Sequence, residues 1–104
     1  MQPVRFGNYC RWHEEGYLSS TGRCFDIGLT VRGSLARFQE SGDPFSGRPD
    51  PHSAGNGCVM RLAPIPMFFR PDVAEVIRWA GESSRTTHGA QECIESSQLL
   101  GAMI

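Results

Sequence analysis

The chain has 104 residues, enough for one domain with one core. Counted without glycine its apolar fraction is 39%, and with the 12 glycines included it falls close to the globular norm of roughly 45–50%. The formal charge is −1 and every basic residue is arginine, so the electrostatic footprint of a general nucleic-acid binder is absent. No apolar run approaches the roughly 20 residues that span a bilayer, and the start at Met1–Phe6 lacks the apolar region of a signal peptide.

Residues 1–16 carry Phe6, Tyr9, Cys10, Trp12 and His13 with Glu14 and Glu15, the pattern of a short amphipathic helix that ends at Gly16. Residues 17–24 are small, polar and punctuated by glycine, as loops are. Ile27, Val31, Leu35 and Phe38 then form a one-sided apolar stripe, which Gly42 is placed to stop. Asp26 sits just before it, where a carboxylate can cap free amides. Residues 41–57 hold Gly42, Gly47, Gly55 and Gly57 with Pro44, Pro49 and Pro51, a long loop of the kind that is often functional.

Residues 58–69 are apolar with Pro64 and Pro66 inside, which predicts a helix that breaks there. Pro71-Asp72 opens a cleaner helix, with Asp72 and Glu75 at the spacing of a capping pair. Val73, Val76, Ile77, Ala80 and Ser84 share its inner face. From Gly89 onward, Ala90, Cys93, Ile94, Ser97, Leu100, Gly101 and Ile104 form a stripe of mostly small residues, so a neighbouring helix is expected to pack close. That stripe reaches the last residue without a stop signal and reads as a helix cut within its pattern. No repeat or alternating strand pattern stands out, and the expected class is all-α.

Two polar turns carry the candidate chemistry. In Ser53-Ala54-Gly55-Asn56-Gly57, an asparagine flanked by glycines runs into a helix start, where backbone amides make a ready anion site. The same triplet also suits a plain turn with an N-cap. In Ser83-Ser84-Arg85-Thr86-Thr87-His88-Gly89, His88 is a candidate donor or proton carrier, or else a helix-capping group. Asp26 divides evenly between a substrate contact and an N-cap. Cys58 at a helix start could pair with His88 as a thiol nucleophile, though a buried, inert cysteine is the commoner case. Cys10-x-x-His13 has metal-ligand types but no second pair at finger-like spacing. The four cysteines, irregularly spaced, are expected to be reduced and mostly buried, consistent with a cytoplasmic setting.

Together, Gly16 to Gly28, Ser53 to Pro64 and Ser83 to Gly89 resemble the ADP-ribosylglycohydrolase family, in order and in spacing, over nearly the whole chain. The resemblance implies an orthogonal helix bundle with a binuclear magnesium centre at the bottom of a cleft, where the glycosidic bond of an ADP-ribosylated substrate is hydrolysed. It implies that Ser53, Gly55, Asn56 and Gly57 hold ADP-ribose, that His88 lines the same cleft, and that Asp26 reaches the substrate near the scissile bond as a catalytic group. The family's Thr-Asp-Asp and Asp-x-Asp metal motifs do not occur in this sequence. Cys58 stands where a small residue such as serine is usual, and Leu29 where some members are polar.

The expectation is therefore a partial ADP-ribosylglycohydrolase domain over residues 1–104, a helical fragment that binds no magnesium by itself and does not hydrolyse its substrate alone. The alternatives are a metal-free ADP-ribose-binding module and a helical interaction fragment that pairs with a complementary piece of the same domain. Nucleic acid and membrane are not expected partners.

Overall fold

The computed structural model describes residues 2–104 other than Pro51 and Ser53, with side chains from Gly7 onward. Helices in chain order are α1 (Gln2–Glu15), α2 (Leu29–Ser41), α3 (Gly57–Met60), α4 (Pro64–Phe69), α5 (Val73–Thr87) and α6 (Gln91–Met103). No strand or sheet occurs among the described residues; an isolated bridge joins Arg48 to His88. The class is all-α, as the sequence pattern requires.

Local signals set most boundaries. Gly16 follows α1 at φ +72°, packed so closely on Gly22 that a side chain would collide with its carbonyl. Gly42 closes α2 in the left-handed region and donates its N–H to the Phe38 carbonyl at 2.7 Å. The apolar 58–69 segment is interrupted as expected, with Pro64 opening α4 at a position where its missing N–H costs nothing. Asp72 caps α5 by accepting the Glu75 N–H at 3.2 Å. Glu75 does not return the bond, because its carboxylate instead accepts from Trp79 Nε1 at 2.9 Å.

The centre of the molecule is the antiparallel pair α5 and α6, in which Gly101 meets Val76 and Ala80 while Gly81 meets Gln98. A Cβ on Gly101 would sit 3.3 Å from both the Ala80 and Val76 side chains, so the small-residue stripe does bring the backbones together. Leu62, Ile65 and Ala80 form one apolar cluster, flanked by Phe69 and Trp79, whose rings stack with centroids 5.8 Å apart. Cys58, Ala90 and Cys93 form another.

The outer ends of the predicted stripes leave this core. Val73 on α5 and Ile104, just past α6, are exposed, and so are Ile77 and Leu100, which lie level with buried Val76, Ala80, Ser97 and Gly101 but at the lateral edge of each stripe. What replaces apolar burial toward the C-terminus of α5 is a polar run: Ser83, Ser84, Thr86, Thr87 and His88 are all buried.

Candidate functional site

The last residue of that run, His88, lines a cleft of about 690 Å³. Tyr9 and Trp12 of α1, Tyr17 of the following turn, Gly55 to Gly57 and Arg61 line it as well. Asp26 and the start of α2 close the rim.

The turn after α1 is tied by its own side chains. Ser19 Oγ donates to the Arg23 carbonyl at 2.6 Å and Thr21 Oγ1 to the same carbonyl at 3.1 Å. Leu18 is driven to φ +62° by this tight geometry, and Arg11 lies 3.8 Å over the Tyr17 ring. Asp26 is also left-handed, at φ +55°, a conformation that Asp tolerates better than most residues. It does not cap α2: the N-cap is Gly28, and Asp26 is exposed at the cleft rim. The capping alternative for Asp26 is therefore incorrect, since the helix begins too late for its carboxylate to serve.

Asn56 is the N-cap residue of α3 by backbone position, but its side chain makes no capping bond; its carbonyl accepts from the N–H groups of Val59 and Met60, each at 3.1 Å. The side-chain amide stays exposed on the cleft wall. Gly57 and Gly55 lie over the His88 ring. A Cβ on Gly57 would be 3.0 Å from His88 Cε1 and 3.3 Å from Nε2, and one on Gly55 would be 3.5 Å from Nε2. Glycine is needed at 57 for close approach rather than for a left-handed backbone.

His88 is the C-cap of α5 and only 2% exposed. Its N–H donates to the Ser84 carbonyl at 2.6 Å, its carbonyl accepts from Ser84 Oγ at 2.9 Å, and Nδ1 lies 2.7 Å from Thr87 Oγ1. Burial, with a contribution from the Arg61 charge, lowers the imidazole from its ordinary value of 6.5 to about 4, so the ring is neutral at physiological pH. Arg61 donates to the Ser83 carbonyl at 2.7 Å and to Thr86 Oγ1 at 3.1 Å, with its guanidinium 5.2 Å over the Tyr9 ring. The Cys58 thiol faces the carbonyls of Gly55 and Cys93, each at 3.8 Å, and has no bond to His88.

Of the residues singled out from sequence, Asp26, Gly55, Asn56, Gly57 and His88 line this one cleft. Ser53 lies outside the described residues. The aromatic residues of the lining were not expected there, nor was Thr87 behind His88. A binuclear magnesium centre does not fit the described residues, among which no three His, Cys, Asp or Glu side chains converge. Asp26 is the one carboxylate among the described residues lining the cleft, and a magnesium ion needs several oxygen ligands.

The fold and cleft thus define an all-helical unit whose cleft brings together Asn56, His88, Arg61 and one carboxylate, Asp26. Residues 2–104 match the ADP-ribosylglycohydrolase family, and the chain belongs to that family. It is 37% identical over 94 residues to ADP-ribosylarginine hydrolase Tri1 of Serratia proteamaculans (strain 568), covering 90% of this chain and 26% of that protein. Against ADP-ribosylarginine hydrolase Tri1 of Pseudomonas putida (strain GB-1) it is 38% identical over 94 residues, covering 90% of this chain and 25% of that protein. The chain therefore spans about a quarter of the length of the curated relatives it matches.

Proposed function

We propose that this chain supplies an ADP-ribose-binding cleft used in hydrolysis of ADP-ribosyl groups from arginine. The observation that carries the reading is the convergence of Gly55, Asn56, Gly57 and His88 with Asp26 in one cleft. Neutral amides and an uncharged imidazole hold a diphosphate or ribose without burying an unpaired charge. Asp26, in the same cleft as the Trp12 and Tyr17 rings, suits a guanidinium leaving group, which donates charge-assisted bonds to carboxylates and stacks on aromatic faces. The relatives, both ADP-ribosylarginine hydrolases, favour the same leaving group.

The magnesium that the family resemblance implies finds no matching ligand set among the described residues, and no chemistry is routed through it here. The residues of this chain bind and orient; none of the steps assigned to them passes through the metal. The proposal accordingly has the chain bind ADP-ribose but not hydrolyse its substrate alone. A cytoplasmic setting belongs to the same proposal and rests on four cysteines that are all free thiols. No helix among the described residues is long and apolar enough to cross a membrane.

Calorimetric titration with ADP-ribose tests the reading. Saturable binding that Asn56→Ala weakens supports it, and absence of saturable binding rejects it. Magnesium-dependent release of ADP-ribose from ADP-ribosylarginine by this chain would overturn the inactive-alone part. A second reading, an interaction surface, is favoured by Met67, Phe68, Leu99 and Met103, each more than half exposed on α4 and α6. Concentration-dependent association without ADP-ribose binding would favour it over the first.

A further inference from the structure

We infer that Thr87 is a positioning residue that holds His88 as its Nε2–H tautomer, so that the ring offers the cleft a hydrogen-bond donor and takes a ligand oxygen there. The inference deepens the ADP-ribose reading and rests on it for the identity of that oxygen, on a diphosphate or a ribose.

Thr87 is fully buried, and its hydroxyl has a single described partner, His88 Nδ1 at 2.7 Å. A hydroxyl carries one proton and a neutral imidazole carries one, so the pair has two arrangements. If Nδ1–H donated to Thr87 Oγ1, the hydroxyl proton would be buried without an acceptor, which is costly. If the hydroxyl donates to Nδ1, both groups are satisfied and the imidazole proton is on Nε2. The second arrangement is the one the surroundings select.

The backbone on both sides of the pair is pinned. Ser34 Oγ of α2 donates to the Thr87 carbonyl at 2.8 Å, and Ser34 is itself held by Arg37 NH2 at 3.1 Å. Ser84 Oγ holds the His88 carbonyl at 2.9 Å. A Cβ on Gly55 or Gly57 would crowd Nε2, so the absence of side chains there keeps that edge of the ring toward the cleft that His88 lines. Arg61 is the charged side chain that bears on the ring, and a second donor there suits an oxygen ligand rather than a cation.

The test is nitrogen NMR on 15N-histidine-labelled chain, with the His88 signals assigned by their loss in His88→Gln, alongside ADP-ribose titration. The expected result is protonated Nε2 and unprotonated Nδ1 in the wild type. In Thr87→Val, which keeps the shape and removes the donor, that preference is expected to be lost and ADP-ribose to bind about 3- to 10-fold more weakly. Thr87→Ser is expected to restore both. Protonated Nδ1 in the wild type, or a Thr87→Val ring still protonated on Nε2 alone, overturns the inference. If Thr87→Val does not fold, the wild-type tautomer and the Thr87→Ser variant decide it. Absence of ADP-ribose binding with the expected tautomers overturns the ligand assignment while upholding the positioning by Thr87.

Discussion

Gly57→Ala separates the close-approach role of Gly57 from its place at the start of a helix. Its φ is not left-handed, so alanine fits the backbone, and helix propensity alone would stabilise the variant by at most about 1 kcal/mol. Against that gain, the new methyl would lie 3.0 Å from His88 Cε1, 3.3 Å from Nε2 and 3.7 Å from Val31 Cγ2. The ring cannot retreat, because it is 2% exposed and bonded to Thr87 on its far side. Overpacking a fixed neighbour costs about 1–3 kcal/mol, so a net loss of about 1–2 kcal/mol is expected, with weaker ADP-ribose binding as the 55–57 loop moves out. Gly55→Ala is the internal comparison, with its methyl at ordinary contact, 3.5 Å from Nε2 and 3.8 Å from Thr30 Oγ1. It should stay within about 1 kcal/mol of the wild type in stability but still cover the donor and weaken binding. Urea unfolding and calorimetry on both variants measure these differences. A Gly57→Ala chain as stable as the wild type, with full ADP-ribose affinity, would refute a fixed imidazole against that wall.

Three further outcomes are expected. His88 titrates near 4 when folded and 6.5 when unfolded, so the unfolded chain binds more protons between those values and stability falls as pH drops through that window. Its contribution is on the order of 2–3 kcal/mol, and the difference between wild-type and His88→Gln unfolding curves from pH 7 to pH 4 isolates it. Asp26→Asn keeps a residue suited to φ +55°, whereas Asp26→Ala adds about 1 kcal/mol of strain; both should weaken ADP-ribosylarginine about 10-fold while leaving ADP-ribose nearly unchanged, by calorimetry. Leu62→Ala removes a side chain 1% exposed between Ile65 and Ala80, and should cost about 2–5 kcal/mol in urea unfolding without a direct effect on the cleft's donors.

What was legible in the sequence followed from local rules. Gly42, Pro64 and Asp72 each set a boundary through backbone geometry that a single residue dictates, and the structure has a stop, a helix start and a cap at those places. The glycine-flanked Asn56 and His88 were visible as polar turns, though nothing in the spacing showed that they meet. Asp26 was misjudged as an alternative cap because the apolar stripe starts at Ile27, while the helix starts at Leu29 after the N-cap Gly28. The stripe's first member packs from the preceding turn. Burial of Val73, Ile77, Leu100 and Ile104 was overestimated because periodicity shows which side of a helix is apolar, not how far along it or around it a neighbour extends.

The buried polar run from Ser83 to His88 could not have been read from composition, since Ser, Thr and His are ordinarily surface residues. Its members are satisfied from other elements: Ser34 on α2 serves the Thr87 carbonyl, and Arg61 serves Ser83 and Thr86. Each such bond adds only about 1 kcal/mol net, whereas leaving one partner unmet costs more. Apolar residues at these positions would stabilise the α5 end more simply, but would leave the imidazole without a fixed tautomer and the guanidinium of Arg61 without its carbonyl. The polar run is best explained by the cleft above it, because the same bonds that satisfy it hold His88 and Arg61 in place there.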